Sequence, residues 1–338
     1  MSDLFADLLG QERAVALLRA ALERRRLAPA YLFAGPEGVG RRRAALRFLE
    51  GVVAGPAGSA GLRRRLEQGN HPDLLWVEPT YSHQGRLVPA SRALEEGVSR
   101  RTPPQLRLEQ VREVSRFLAR RPVESPAALV VLDGAEAMAE AAANALLKTL
   151  EEPGDGLLIL ITAAPDQLLA TIRSRCQQIP FLRLSTALLE QVLASLPPEP
   201  ASSEPPASAS ESPEAAAAPA ARSESPALVE MAAGSPGALL RHRRQWRELP
   251  EGLAERLLGL ERDPLAALAL ARDLSEALDG DQQLWVLDWW QLMLWRQRGD
   301  AAALRRLERL RRQLLAHGQP RLAWEVALLD LAGVGMGA

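Results

Sequence analysis

Short apolar segments that alternate with helix-like segments are the feature that most restricts the fold of this chain. Apolar runs lie at 30–34, 74–79, 128–133 and 156–162. Uninterrupted apolar runs of this length are typical of strands that are buried on both faces. Amphipathic segments such as 106–119 separate them and carry apolar side chains at helical spacing. The alternation predicts an α/β protein with a mainly parallel sheet.

Further segments complete this first part of the chain. Helices are predicted at 10–27, at 41–54 and before Glu152. Residues 82–104 are polar, and we expect them to be irregular. Strand signals cease after Phe181.

The remainder of the chain is predicted to be helical after a low-complexity segment. Residues 196–227 are rich in Pro, Ser, Ala and Glu, cannot bury a core, and are predicted to be a disordered insertion. A later helix near 284–295 is apolar almost all round, which fits either a central core helix or a subunit interface. The helices predicted here span 251–262, 264–278, 281–298, 301–316 and 320–332.

Composition excludes several classes of protein. The 41 Lys and Arg residues nearly balance 42 Asp and Glu residues, so no global basic field points to nucleic acid. Cys176 is the only cysteine, which rules out an internal disulfide and fits a reducing compartment. No signal-peptide pattern and no apolar run long enough to span a bilayer are present. We therefore expect a cytoplasmic protein without membrane contact.

The segment "GPEGVGRRR", residues 35–43, follows the first apolar run and resembles a phosphate-binding loop, G-x-x-x-x-G-K-[ST]. Such loops aim backbone N–H groups and a helix N-terminus at phosphate, while Lys adds charge and Ser or Thr holds Mg²⁺. The glycines of the predicted loop are Gly35, Gly38 and Gly40. Arg41 stands where Lys belongs, and Arg42 stands in place of the metal-binding hydroxyl.

The apolar run that ends at Asp133 resembles the second element of a nucleotide site, in which an aspartate helps to hold Mg²⁺. The next position, where an acid would activate water, is Gly134, and Glu136 lies past the predicted strand end. The loop thus lacks the lysine and the metal-binding hydroxyl, and this strand lacks the acid that would activate water. We predict that the chain does not hydrolyse ATP.

A third motif, "TIRSRCQQI", covers residues 171–179. Arg173 and Arg175 are by default solvated charges at a helix end. An arginine supplied in trans can, however, stabilise the charge on a phosphoryl group in transfer. A subunit with a silent site can serve a neighbour in this way.

These motifs together resemble a known family. "AYLFAGPEGVG", "NHPDLLWVEP", "LVVLDGAEAMAEAAANALLKTLEEP", "LILITAAPDQLLATIRSRCQQI" and "AAGSPGALL" occur in the order seen in bacterial clamp-loader AAA+ subunits of DNA polymerase III. The resemblance covers residues 4 to about 240 apart from the insertion, and it is most specific at 129–179. It implies an AAA+ P-loop-type domain (1–181), a helical lid (182–247) and an all-α collar domain (248–338).

The resemblance also implies roles and partners. Ser174, Arg175 and Cys176 match the family's Ser-Arg-Cys motif, so Arg175 is expected to reach the ATP site of an adjacent ATPase subunit. Thr162 matches the sensor-1 polar residue. The chain would be a rigid, non-hydrolysing part of the polymerase holoenzyme. Its implied partners are the gamma/tau ATPase subunits and the delta subunit, with the sliding clamp and primed DNA reached through the complex.

The chain departs from the family in the lid and in the zinc module. The run Gly234-Ser235-Pro236-Gly237-Ala238 contains no arginine, where ATPase subunits carry one as a phosphate sensor. Residues 51–70 lack the four cysteines that bind zinc in many relatives. We therefore expect no zinc and no required cofactor, with weak ATP binding left open because backbone amides alone can bind phosphate. His71 lacks nearby ligands in the sequence and is expected to be structural.

Two other functions stay open. The chain could be an active P-loop ATPase of helicase-loader or branch-migration type, with Arg41 in the lysine role. It could also be a nucleotide-free scaffold in which Arg175 is only structural. For DNA contact, Lys148, Arg112 and Arg116 fit a nucleic-acid channel and a solvated helix face equally well.

Overall fold

A computed structural model describes residues 3–93, 95–98, 103–152, 154–195, 227–260, 262–316 and 318–333. The chain divides into two compact units. The first comprises Met1–Ala194 with Gly234–Gly237, and the second comprises Ser195–Ala233 with Ala238–Ala338.

A five-stranded parallel sheet organises the first unit. Its strands are β1 (Ala30–Ala34), β2 (Leu74–Val77), β5 (Leu129–Asp133), β6 (Leu157–Thr162) and β7 (Gln177–Pro180). Their order across the sheet is β2-β5-β6-β1-β7. The sheet confirms the four strands predicted from the apolar runs. β7 was not predicted, because its polar sequence "QQIP" is that of a partly exposed edge strand.

The two faces of this sheet bury separate apolar clusters. Alternate residues of β1 point to opposite sides, with Tyr31 and Phe33 in one cluster and Ala30 and Leu32 in the other. The first cluster is covered by α1 (Glu12–Glu23), α2 (Arg41–Ala54) and α3 (Ala60–Glu67). The second is covered by α4 (Leu108–Leu118), α5 (Glu140–Glu151) and α6 (Ala170–Arg175). The last helix of the unit is α7 (Thr186–Ser195).

A small antiparallel hairpin corrects the expectation that residues 82–104 are irregular. It pairs β3 (Thr80–His83) with β4 (Arg86–Pro89). Gln84 and Gly85 form its turn with φ of 48° and 78°, as a two-residue turn of matching twist requires. The strands are too short and too polar to have been predicted as strands.

The region that holds the zinc module in many relatives contains helix α3 and a cluster of charged side chains. Glu50 is fully buried and accepts hydrogen bonds from Ser59 N and from Arg63 Nε, both at 2.8 Å. Arg47, also buried, donates to Asp7 and Glu67. An ionic network therefore fastens α3 to α2.

The second unit is helical over its described residues. The long helix α12 buries most of its apolar side chains, including Trp289 and Trp290, and packs with α8, α10 and α13. Of the two interpretations left open, the central core helix is thus observed. Asp263 caps α11 by accepting from Leu265 N at 2.9 Å. The helices are α8 (Ala227–Ala232), α9 (Pro236–Glu248), α10 (Leu253–Leu258), α11 (Pro264–Ala277), α12 (Gly280–Arg298), α13 (Ala301–Leu315) and α14 (Pro320–Leu331).

The predicted insertion, 196–227, lies outside the described residues except for Ala227, which begins α8. The division into 1–181, 182–247 and 248–338 stays a prediction. In the part of the chain that the structure describes, no helix is both long and apolar enough to cross a membrane.

Candidate functional site

Three predicted site segments meet at one edge of the sheet. In a parallel sheet the carboxyl ends of all strands lie at the same edge, where α/β proteins bind their ligands. The glycine-rich loop follows β1, Asp133 ends β5, and Thr162 ends β6, which lies between those two strands. Gly35 N donates to Thr162 O at 3.2 Å, so the loop is joined directly to β6.

The loop has the backbone of an anion-binding turn. A Cβ at Gly35 would lie 2.3 Å from Phe181 O, so only glycine fits there. Gly38 and Gly40 have φ of 78° and 103°, the left-handed region that glycine adopts readily. Gly40 is the N-cap residue of α2 and provides no side-chain cap, which leaves the first N–H groups of the helix for a ligand.

Arg41, in the lysine position, is 93% buried, since only 7% of its surface is exposed. Its Nη1 has no hydrogen-bond partner among the described residues. Burial lowers the pKa of Arg41, while the negative charges of Glu136, Asp133 and Glu37 act in the opposite direction. A buried guanidinium nitrogen without a partner is unfavourable unless an anion or water completes its hydrogen bonds.

Arg42 lies where the loop would otherwise supply a metal ligand. Its Nε forms an ion pair with Asp133 Oδ2 at 2.9 Å, and its guanidinium lies 5.2 Å from the centre of the Trp76 ring. Burial raises the pKa of Asp133, which the charges of Arg42 and Arg41 partly oppose. The guanidinium therefore neutralises the charge of the carboxylate that would hold Mg²⁺. This ion pair does not fit a bound metal ion.

The position after Asp133 cannot readily carry a catalytic acid. Gly134 has φ of 66°, and a Cβ there would lie 2.9 Å from Pro79 Cγ. Glu136 instead reaches the neighbouring strand, where its Oε1 accepts from Ala163 N at 3.0 Å. Its Oε2 is buried without a partner among the described residues, so Glu136 lies closer to the site than its place in the sequence indicated.

Thr162, the predicted sensor residue, is fully buried. Its Oγ1 accepts from Ala164 N at 3.1 Å. The hydroxyl thus stabilises the turn after β6.

Residues 234–237 contact the loop directly. Ser235 Oγ donates to Glu37 O at 2.6 Å, and Gly237 N donates to Gly38 O at 3.0 Å. A Cβ at Gly237 would lie 2.8 Å from Gly38 Cα. In the segment where an arginine sensor was expected to be missing, small residues hold the loop backbone.

The Ser-Arg-Cys motif lies at the opposite edge of the sheet. It precedes β7, whose first residue, Gln177, pairs with Tyr31 at the amino end of β1. Gly35 comes four residues after Tyr31, which corresponds to about 13 Å along the strand. The structure therefore does not bring Arg175 to the loop of its own chain.

Contacts with two helices hold the Arg175 side chain. Its Nη2 pairs with Glu151 Oε1 at 2.8 Å, and its Nη1 donates to Thr171 O at 3.1 Å. Ser174 Oγ donates to the same carbonyl at 3.1 Å. Cys176 is buried, which raises the pKa of its thiol to about 12, so it is unsuited to act as a nucleophile.

Several contributing residues had not been assigned to the site from the sequence. Trp76 stacks on Arg42, Pro79 blocks Gly134, and Glu151 holds Arg175. Trp76 and Pro79 belong to the motif "NHPDLLWVEP", but their distance from the loop has no local signal in the sequence. Ser235 lies in the segment 234–238, where the sequence pattern indicates only a missing arginine.

The three basic residues weighed for DNA contact line one open groove between α4 and α5. The groove has a volume of about 850 Å³, and its lining includes Arg112, Arg116 and Lys148 together with Glu109 and Glu152. Its mixed charge leaves the question of DNA contact open. Among the described residues, no group of three or more His, Cys, Asp or Glu side chains is placed to hold a metal ion.

The sheet order, the glycine loop between β1 and α2, and Asp133 at the end of β5 define an AAA+ P-loop-type protein. The fold is similar to that of a DNA polymerase III gamma-subunit-related protein from Thermotoga maritima. The TM-score is 0.51 at 16% identity, over 95% of this chain and 98% of that one.

Sequence comparison identifies the family. The model for the DNA polymerase III delta subunit matches residues 10–185, and the model for the C-terminal domain of cyanobacterial DNA polymerase III delta prime matches residues 215–331. The chain therefore belongs to the DNA polymerase III delta-subunit family, within its delta-prime group.

Individual relatives agree with this grouping. The chain is 36% identical over 190 residues to the DNA polymerase III subunit delta′ of Bacillus subtilis, over 54% of this chain and 51% of that protein. It is 36% identical over 184 residues to the subunit delta′ of Pseudomonas aeruginosa, over 52% of this chain and 50% of that protein. The matches span about half the length of these relatives.

Proposed function

We propose that this chain is a non-hydrolysing stator subunit of the DNA polymerase III clamp loader. In this role it supplies Arg175 in trans to a neighbouring ATPase subunit while the sliding clamp is loaded on primed DNA. The observation that carries the proposal is the ion pair between Arg42 and Asp133. This pair puts a cation beside the carboxylate that an ATPase uses to hold its metal ion, which supports a site unsuited to hydrolysis.

Two further observations support the absence of hydrolysis. Arg42 has no oxygen to offer Mg²⁺, and the aspartate that would share the metal is already paired. Gly134 leaves no carboxylate after Asp133, and Pro79 leaves little room for one. Metal ions that bridge the phosphates and a residue that orients the attacking water are both recurring parts of sites that hydrolyse nucleotides.

The loop retains features of a phosphate site. Arg41 Nη1 is buried without a partner among the described residues, and the first turn of α2 has no side-chain cap. We include in the proposal that the loop binds nucleotide phosphate weakly and without Mg²⁺. Arg41 and the backbone N–H groups after Gly40 would hold the phosphate, and no reaction follows.

The place of Arg175 supports action on a neighbour. Its motif lies at the amino edge of the sheet, about 13 Å along the strand direction from the loop. An arginine side chain cannot span that distance. Arg175 is also partly exposed, with 36% of its side chain accessible, so a second subunit can reach it.

The proposed partners follow from this role. They are the gamma/tau ATPase subunits, one of which would receive Arg175, and the delta subunit. The sliding clamp and primed DNA would be met through the assembled complex. Such an assembly would work in the cytoplasm.

A reconstituted complex tests the proposal. ATP hydrolysis by this complex is measured under stimulation by the clamp and primed DNA. At the ATP site that receives Arg175, the stimulated rate should fall at least about 10³-fold with Arg175→Ala, since arginines supplied in trans contribute on that order. The neighbouring arginine, Arg173, pairs with the exposed Asp166 and provides a matched control, because Arg173→Ala should leave the rate nearly unchanged. A complex with Arg175→Ala that hydrolyses ATP at the wild-type rate would refute the trans role and favour the nucleotide-free scaffold.

Arg41 gives one observation in favour of the second candidate, an active P-loop ATPase. A buried cation in the lysine position is one of the groups that such an enzyme needs. The purified chain alone decides this case. The stator proposal expects no turnover above background. Magnesium-dependent turnover that Arg41→Ala abolishes would contradict it.

A further inference from the structure

We infer that Glu151 is the positioning residue for Arg175, fixing the direction in which the guanidinium faces a neighbouring subunit. This inference rests on the proposed function, since it concerns the same trans arginine. Its basis is the pair of contacts from Nη2 to Glu151 Oε1 at 2.8 Å and from Nη1 to Thr171 O at 3.1 Å.

The two contacts leave donors available. A guanidinium carries five N–H groups in a planar fork. In Arg175 the carboxylate and the carbonyl engage one N–H on each terminal nitrogen. The side chain can therefore present its remaining N–H groups to a phosphate in trans while Glu151 stays bound.

The backbones on both sides of this pair are held by one apolar cluster. Leu150, beside Glu151 at the end of α5, and Ile172 and Cys176, on either side of Arg175, belong to the same buried group. The helices that carry the carboxylate and the arginine are thus fixed relative to each other. The freedom left to lose lies in the two side chains, and the ion pair with Glu151 restrains that of Arg175.

Positioning matters for an exposed arginine because its side chain has many rotamers. Holding it in one direction beforehand reduces the entropy that must be lost when the transition state is reached. An interaction that counts mainly in the transition state changes kcat more than KM. Losing a partly exposed ion pair is expected to lower kcat about two- to fivefold.

The test uses the reconstituted complex, with kcat and KM for ATP measured under stimulation by the clamp and primed DNA. Glu151→Ala should lower kcat about two- to fivefold without changing KM. Glu151→Gln keeps an oxygen that accepts from Nη2 and should recover most of the loss. Glu140→Ala is the matched control, because this exposed carboxylate lies at the other end of α5 and outside the groove, and it should match wild type.

Arg175→Ala separates the two levels of the proposal. If it leaves the stimulated rate unchanged, the proposed function fails and the positioning role with it. If it abolishes stimulation while Glu151→Ala has the wild-type kcat or a higher one, only the positioning role is overturned. The double variant, Glu151→Ala with Arg175→Ala, should be no slower than Arg175→Ala alone. An additive loss would also overturn the positioning role. A thermal melt of the isolated Glu151→Ala chain that matches wild type shows that folding is intact, and Glu151→Gln provides the same comparison at constant side-chain volume.

Discussion

Arg41 and Arg42 are neighbours in the sequence, yet the fold places their side chains in different surroundings. Arg41 is buried with an unpartnered nitrogen, while Arg42 is largely exposed and paired with Asp133. Under the proposed function, the first arrangement leaves a site for an anion, and the second removes a site for a metal. Phosphate binding and hydrolysis would then be separated within two adjacent residues.

Asp73 shows how one buried carboxylate can organise a loop. It accepts hydrogen bonds from the backbone N–H groups of Val123, Glu124 and Ser125 at 2.7–2.8 Å, and from Ser125 Oγ at 3.0 Å. Although burial acts to raise its pKa, these bonds outweigh burial and lower the pKa to about 2. His71 Nδ1 accepts from Asp73 N at 3.2 Å, which agrees with the structural role expected for this histidine.

The pKa of Asp73 predicts a dependence of stability on pH. Because the folded-state pKa is lowered, the stabilisation is complete well above pH 3.8 and is lost as the pH falls towards about 2. Asp73→Asn should therefore lower the free energy of unfolding by about 2 kcal/mol at neutral pH. Urea unfolding of the isolated chain between pH 2 and 7 measures this, and a variant as stable as wild type at pH 7 would contradict the prediction.

Gly237 gives a second prediction at this scale. A methyl group there would lie 2.8 Å from Gly38 Cα and 3.1 Å from Gly38 O. Gly237→Ala should therefore destabilise the first unit by about 1–3 kcal/mol, as overpacking does elsewhere. Thermal unfolding is the measurement. Gly61→Ala is the control, because Gly61 is likewise the second residue of a helix but has open space around it. Equal melting temperatures for the two variants would disprove the close contact.

At the scale of elements, α3 depends on charged side chains. Glu50 is fully buried between Arg63 and Arg47, with the Ser59 N–H as a further donor. Removing one partner from a buried charge network leaves the others uncompensated. This arrangement stands in the region where many relatives carry a zinc module.

Glu50→Gln should lower the free energy of unfolding by about 3 kcal/mol. Glu67→Gln removes a half-exposed carboxylate from the same Arg47 and should cost about 1 kcal/mol or less. Chemical denaturation of both variants checks the order of the effects, which the reverse ranking would contradict. EDTA should leave the melting temperature of the wild type unchanged, and a fall would show that a metal stabilises the chain after all.

The elements differ in how well the sequence predicted them. β1, β5 and β6 were predictable because strands buried on both faces are continuously apolar, and α11 because Asp263 and Pro264 give a clear start signal. β7 and the β3–β4 hairpin were not, since edge and surface strands lack that pattern. Their pairing depends on neighbours that are distant in sequence.

The site shows the same limit. The placement of the glycine loop, Asp133 and Thr162 at one edge could be predicted, because the loop follows a recognisable strand and each of the other two ends one. The ion pair between Arg42 and Asp133 joins residues 91 positions apart, and no local pattern contains that contact. Glu151 was unpredictable for the same reason, because its partner lies on another helix.

At the scale of the whole molecule, the proposed function assigns different roles to two opposite edges of one sheet. The carboxyl edge would bind phosphate without Mg²⁺, and the amino edge would present Arg175 to a neighbouring subunit. Under the proposed function neither edge completes a reaction alone. The isolated chain should be catalytically silent, while the complex needs it for hydrolysis at a neighbouring site.

Replacing both arginines of the loop tests whether Arg41 and Arg42 are what prevents Mg²⁺-dependent nucleotide binding there. Arg41→Lys with Arg42→Thr restores the compact lysine ammonium and the hydroxyl, and it releases Asp133. The double variant should bind a fluorescent ATP analogue about tenfold more tightly with Mg²⁺ than without it. Arg41→Lys alone keeps the Arg42 pair and should show no such gain. Hydrolysis should stay at background in both, because Gly134 still offers no carboxylate and residues 234–238 contain no arginine. Magnesium-dependent turnover by the double variant, abolished by Asp133→Ala, would show that the acid after Asp133 is dispensable and that the two arginines alone keep the site silent.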